Sequence, residues 1–226
     1  MKITHVDHAC FLFETAGATI VTDPFSSDIS AALKKTPRLY NPDYVLLTHA
    51  HGDHMGNLKD VVGEKTTVVA IVELAEILQA LGYKTIGVNF GGELTLGKTR
   101  VAVTRAVHTS SMRVGGKTLY AGEPCGYVIS DNPTSAYFAG DTDVFSDMQL
   151  IKCLYKPVIA ILPVGGHYTM DVKKAIFACN NLLETEVLIP MHYDTFPLIR
   201  ADLSPLKNQL DKAKVVILDK GESAEF

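Results

Sequence analysis

Residues 48–57 read THAHGDHMGN, which places His49, His51, Asp53 and His54 within six positions. Eight histidines in 226 residues would put about 0.2 of one in a random six-residue window. This window holds three. Imidazole and carboxylate are ligands for zinc, manganese, iron or nickel, and a metal with an open coordination position lowers the pKa of its bound water to about 7. In an extended segment His49 and His51, two apart, project the same way and can share one ion. Asp53 and His54 follow a turn at Gly52 and can face a neighbouring position. The motif supplies two half-sites, and both need completion from elsewhere.

The run that delivers the motif, YVLLTH, is short and β-rich, and GNLKDVVGE after it reads as a helix. Upstream, ITHVDHACFLFET and ATIVTDPF form a hairpin turning at Gly17, followed by the polar, Pro-bounded LKKTPRLYNPD. Downstream, TTVVAIV and ELAEILQALG make a β-α unit closed by Gly82. KTIGVNFGGELTLGKTRVAVTRAVHTS carries two or three strands and ends on His108. In the loop SSMRVGGKTLYAGEP, Gly115 and Gly116 read as a plain turn rather than a mobile lid. CGYVIS and SAYFAGDT are a strand pair; MQLIKCLYK is a helix, VIAILPV a strand, MDVKKAIFACNNLLE a helix and EVLIPMH a strand. SPLKNQLDKA is a helix capped by Ser204 with Pro205 at its first position, and KVVILDKGESAEF is a last strand and tail.

Strands outnumber helices and many are near-continuous apolar runs. This pattern predicts an α/β sandwich, with sheets covered by helices on one face and packed on each other by the second. No linker or repeat divides the chain, so residues 1–226 are expected to form a single domain. Histidines and carboxylates recur where strands end (THAHGDH, AVHTS, AGDT, PMHYD), the edge at which such folds place their sites. His108, Asp141 and His192 are therefore the candidates to complete the half-sites. Asp141, with two oxygens, could bridge two ions about 4 Å apart.

A net charge of −4 and the lack of a Lys/Arg run argue against nucleic acid as a partner. The N-terminus lacks the continuous apolar stretch of a signal peptide, and no apolar run approaches the roughly 18 residues of a membrane span. No membrane partner and a cytoplasmic location are expected. Cys10, Cys125, Cys153 and Cys179 form no C-x-x-C pair and read as buried small hydrophobes.

HACFLFE, VTDPF, LLTHAHGDHMGN, GEPCGYVIS, YFAGDTDVFSDM, LPVGGHYTMD and IPMHYDTFP, in that order, cover nearly the full length. The chain thereby resembles the metallo-β-lactamase superfamily, whose hallmark H-x-H-x-D-H stands here as HAHGDH. Within it, the chain is similar to uncharacterised metal-dependent hydrolases related to the ascorbate-6-phosphate lactonases. The resemblance implies a four-layer αββα sandwich and two divalent metal ions, zinc first, with manganese, nickel or iron as alternatives. By motif, His49, His51 and His108 would hold the first ion, Asp53, His54 and His192 the second, with Asp141 between them.

The same resemblance implies a small-molecule substrate contacted by His8 and His167, with His8 or the second metal stabilising the developing oxyanion. Asp53 would also orient the attacking metal-held hydroxide or accept its proton. Asp23 would orient the metal loop, and Asp194 would do the same for His192. His5, outside any motif, is expected at the surface. Asp7 and Asp143 stand where relatives often carry Gly. True zinc β-lactamases have cysteine at the position of Asp141, so antibiotic hydrolysis is not expected. The expected activity is metal-dependent hydrolysis of a lactone, ester or phosphodiester. The alternatives are a di-iron redox enzyme on the same ligands and a metal-stabilised binding protein. Self-association into a homo-oligomer stays open.

Overall fold

A strand that is apolar on both faces requires other layers above and below it. The computed structural model, which describes residues 1–226, meets that requirement with two sheets packed face to face. Lys2–Asp7 (β1), Cys10–Glu14 (β2), Thr19–Thr22 (β3), Tyr44–Leu46 (β4), Thr67–Ile71 (β5) and Thr85–Val88 (β6) lie side by side in chain order. The chain enters the second sheet with Glu93–Leu96 (β7) and Thr99–Arg105 (β8), then leaves it for a separate hairpin of Ser111–Val114 (β9) and Lys117–Tyr120 (β10). It returns with Cys125–Asp131 (β11), Thr134–Phe138 (β12), Ile159–Pro163 (β13), Val187–Met191 (β14) and Lys214–Val215 (β15), in the order β15-β14-β13-β12-β11-β8-β7. Ser223–Glu225 (β16) crosses back to pair with β1.

The two sheets share one plan. Antiparallel pairings link β16, β1, β2 and β3 in the first and β7, β8, β11 and β12 in the second. Each continues as a parallel run, β3 to β6 and β12 to β15. Parallel neighbours need crossovers, and helices supply most of them. Ile29–Lys35 (α1), Gly52–Met55 (α2), Leu58–Val61 (α3) and Val72–Ala80 (α4) serve the first sheet. Met148–Tyr155 (α5), Val172–Ala178 (α6), which runs into a π-type turn at Cys179–Leu183, and Leu206–Gln209 (α7) serve the second. Phe11, Phe13, Tyr127, Phe138 and Ile161 fill the space between the sheets. The opposite faces carry Leu12 and Val68 against Leu74 and Leu78, and Val128 and Ala160 against Ile151 and Ile176. The architecture is the four-layer αββα sandwich. No helix is long and apolar enough to cross a membrane.

Several local expectations change. ITHVDHACFLFET is two antiparallel strands, because the chain reverses at His8–Ala9, where His8 takes φ +52°; a register shift falls between His5 and Asp7. LKKTPRLYNPD contains the end of α1, nucleated by Asp28, whose Oδ1 accepts from the Ala31 amide at 3.0 Å. Ser204 does not cap α7; its hydroxyl turns back to Asp202 at 2.8 Å. His5 is buried, with Nδ1 2.9 Å from the Leu218 carbonyl and its ring against Phe11. Cys153, on α5, is exposed, whereas the other three cysteines are buried.

At one end of the sandwich two turns meet backbone to backbone. A Cβ on Gly97 would lie 2.1 Å from the Gly17 carbonyl oxygen, and one on Gly17 would lie 2.2 Å from the Lys98 nitrogen. Gly97 also has φ +65°, a conformation glycine adopts readily. Beside them the hydroxyls of Thr15 and Thr99 are 2.6 Å apart.

Candidate metal centre

The opposite end gathers the titratable residues. His8 sits in the turn after β1, Asp23 just past β3, the THAHGDH loop past β4, His108 past β8, Asp141 past β12 and His192 past β14. Two sheets contribute, and Gly140 lets their loops touch: a Cβ there would stand 2.7 Å from Thr48 Cγ2. Val107 N donates to Thr142 Oγ1 at 2.9 Å, which ties the His108 loop to the Asp141 loop.

Asp23 organises the loop from behind. Its carboxylate accepts from Thr48 N at 2.8 Å, from Thr48 Oγ1 at 2.6 Å and from His54 Nδ1 at 2.8 Å. Because the Thr48 hydroxyl donates to Asp23, it accepts from His49 Nδ1 at 3.0 Å. Both His49 and His54 therefore carry a proton on Nδ1 and turn Nε2 into the cluster, the orientation a metal-ligating imidazole needs.

The donor atoms converge in two groups. His49 Nε2 and His51 Nδ1 are 3.0 Å apart, and those two residues with His108 place ligand atoms within 4.8 Å of one another. Asp53, His54, His192 and His8 do the same. Asp141 Oδ2 reaches both, 3.6 Å from His108 Nε2, 3.3 Å from His54 Nε2 and 3.0 Å from His192 Nε2. Buried polar atoms are almost always hydrogen-bonded. Here His8 Nε2, His54 Nε2, both nitrogens of His192 and Asp141 Oδ1 are buried without a hydrogen-bond partner. Imidazole nitrogens and carboxylate oxygens left bare around one point are the chemistry of a divalent-metal cage, and the residues present fit one.

Electrostatics follow the same geometry. Burial pushes His8 down to about 4 and His49 well below the ordinary imidazole range. Burial also opposes charge on His54, but Asp141 and Asp23 on either side hold it well above that range. His192 rises to about 9 against burial because Asp141 and Asp53 face it. Asp141 stays far below the usual carboxylate range despite burial, held there by His54 and His192.

Of the residues expected at the site, His49, His51, Asp53, His54, His108, Asp141 and His192 come together, and Asp23 stands where its orienting role requires. His8 joins them from inside, only 2% exposed. His167 is exposed and stacks edge-on against Tyr168, with ring centroids 4.4 Å apart. Asp194 does not serve His192: its Oδ1 accepts from Ala201 N at 3.0 Å, and His192 Nδ1 stays unpartnered. Asp143 pairs with Lys174 at 2.8 Å and anchors its loop to α6. Asp7 binds Ser27 Oγ and Lys220 Nζ at 2.8 and 2.7 Å.

Above the cluster opens a cleft of about 780 Å³, lined by His51, Asp53, His108, Thr109 and Asp141 on its floor and by Tyr168, Phe196, Pro197 and Leu198 on its wall. The wall escaped sequence reasoning. Its signal was the apolar FPLI run straight after HYDT, a loop position where burial would not be expected.

Comparison with known proteins agrees with this geometry. A profile for the beta-lactamase superfamily domain matches residues 2–192. A UPF0173 metal-dependent hydrolase of Nanoarchaeum equitans is 39% identical over 229 residues, covering 100% of both chains. Igni18, a metallo hydrolase from the archaeon Ignicoccus hospitalis, superposes with a TM-score of 0.85 at 35% identity, covering 100% of this chain and 98% of that one. The metallo-beta-lactamase fold protein YhfI from Bacillus subtilis shares the fold with a TM-score of 0.78 at 16% identity, over 100% and 98% of the two chains. With the ligand cluster at the edge of an αββα sandwich and relatives aligned end to end, the chain belongs to the metallo-β-lactamase superfamily and, within it, to the UPF0173 metal-dependent hydrolases.

Proposed function

We propose that the chain hydrolyses a small uncharged ester or lactone at a dinuclear metal site, with phosphodiesters as the neighbouring substrate class. The observation that supports this most is the cluster of bare ligand atoms at the floor of an open cleft, shared between two groups by Asp141 Oδ2. His49, His51 and His108 would hold one ion, Asp53, His54 and His192 the other, and Asp141 would bridge. When bound, such ions supply Lewis acidity and acidify a water to near neutral pH.

The chain's own groups supply the rest. Asp53 lines the cleft and is 30% exposed at its side chain, so it can orient the attacking water and take its proton. The apolar wall of Tyr168, Phe196, Pro197 and Leu198 would bind the organic portion of the substrate and exclude water. No Lys or Arg lines the cleft, so a substrate bearing an anionic group remote from the reacting centre finds no partner there. Residues 1–226 would act as one domain on this reading.

The test pairs metal content with turnover. His51→Ala and Asp141→Ala are each expected to lose bound metal and activity together, by metal analysis and by hydrolysis of neutral aryl ester, lactone and phosphodiester panels with zinc, manganese or nickel added. Retained turnover in both variants would sink the assignment. Preference for a substrate with a remote phosphate over its neutral counterpart would sink the substrate class.

A further inference from the structure

We infer that His8 is itself a ligand of the second metal, which makes that position a five-donor site of His8, Asp53, His54, Asp141 and His192. The inference rests on the dinuclear reading above and adds a ligand to it. His8 Nδ1 lies 2.9 Å from Thr195 Oγ1, whose hydroxyl donates to the Tyr193 carbonyl at 3.3 Å. With its own hydrogen committed there, Thr195 accepts from His8 Nδ1–H, and Nε2 is left with a lone pair. That Nε2 is buried, has no hydrogen-bond partner and stands 3.5 Å from Asp53 Oδ2. The ring packs 4.0 Å from that of His192 and 5.6 Å from that of His54.

Distances decide between a ligand and a bystander. Metal–nitrogen and metal–oxygen bonds of about 2.0–2.2 Å put neighbouring donors roughly 3.0–3.5 Å apart and opposite ones roughly 4.2 Å apart. The separations here are 3.0 and 3.3 Å from Asp141, 3.5 Å from His8 to Asp53 and 3.7 Å from His192 to Asp53. The donor atoms of His8, Asp53, His54 and His192 all lie within 4.8 Å of one another. A substrate contact would instead need access, and His8 does not line the cleft.

The backbone holds His8 in this position. Its φ of +52° is unfavourable for a residue with a side chain, and its carbonyl accepts from His192 N at 3.2 Å, which locks the two residues together. Asp7 next to it is fixed by Ser27 and Lys220. The two metal positions are then unequal. Three imidazoles and one carboxylate suit an ion that is four-coordinate, or five-coordinate once a water is added, such as zinc, whereas five protein donors favour cations that accept five or six ligands, such as Mn(II), Fe(II), Co(II) or Ni(II).

The experiment titrates Co(II) into the metal-stripped full chain and reads both affinity, by calorimetry, and the visible d–d spectrum, which strengthens as coordination number falls. Wild type is expected to bind two ions. His8→Leu is expected to weaken the second ion by about a hundredfold, leave the first unchanged, and intensify the absorption of the second. Thr195→Val, which keeps the imidazole and removes only its acceptor, is expected to weaken the second ion by about tenfold, and it decides the matter should His8→Leu not fold. A folded variant whose second affinity and spectrum match wild type overturns the inference. A wild-type chain that binds one ion or none overturns the dinuclear reading itself, a failure visible before any substitution is made.

Discussion

Asp23 is the residue on which most others in the centre depend, since it fixes Thr48, through Thr48 His49, and directly His54. It is fully buried, and its φ of +38° shows that the local backbone is held against preference. Removing one partner of a buried charged network strands the other. Asp23→Ala is therefore expected to cost about 3–5 kcal/mol in urea unfolding of the metal-free protein, and to weaken metal binding by about tenfold to a hundredfold in calorimetry. The convergence of the candidate ligands was legible because their chemistry is written into spacing: HAHGDH needs no tertiary information. Thr48 and Thr195 were not, because a hydroxyl takes its role from whatever the fold places beside it. His5 and Asp194 show the converse, since neither the lack of a motif nor nearness to a ligand says where a side chain points.

Among the elements, the strands built from near-continuous apolar runs matched expectation, while α1 and α2 were not anticipated and α7 is shorter than its sequence suggests. α1, α2 and α7 run only seven, four and four residues, below the length at which local propensity decides. Contacts with the sheets hold them instead. β16 pairs with β1 across nearly the whole sequence, and no local signal encodes such a partner. One junction is testable by pH. Asp43, leading into β4, accepts from Thr19 N at 2.8 Å and Thr19 Oγ1 at 2.6 Å, and pairs with Lys65 at 2.9 Å. Partial burial raises its carboxyl, but the Thr19 bonds and Lys65 outweigh this and hold it at about 2, below its ordinary 3.8. A carboxyl depressed in the folded state stabilises fully above its unfolded pKa and loses that contribution as pH falls through its folded one. Asp43→Asn is accordingly expected to flatten the loss of stability between about pH 4 and pH 2, read from denaturant midpoints across that range.

For the molecule as a whole, the decisive fact is that the candidate ligands come from both sheets: His8, His49, His51, Asp53 and His54 from the first, His108, Asp141 and His192 from the second. Ions held there would fasten one sheet to the other. Binding to the folded state alone contributes about 4 kcal/mol per site at a thousandfold excess over Kd. Chelation is thus expected to lower Tm by roughly 8 °C or more, by calorimetry before and after metal stripping. Sequence reasoning reached the sandwich but not this, because strand order decides which sheet each ligand belongs to. The far end of the sandwich, where Gly17 meets Gly97, has the opposite character. The Gly17–Gly97 approach itself is backbone on backbone, and neither position can be repaired by a change at the other. In a saturation library sorted for folded protein, both positions should tolerate almost nothing, while Tyr168, Phe196 and Leu198 tolerate much. Inherited variation would then collect at one rim of the molecule, letting substrate preference diverge among descendants while the frame stays put.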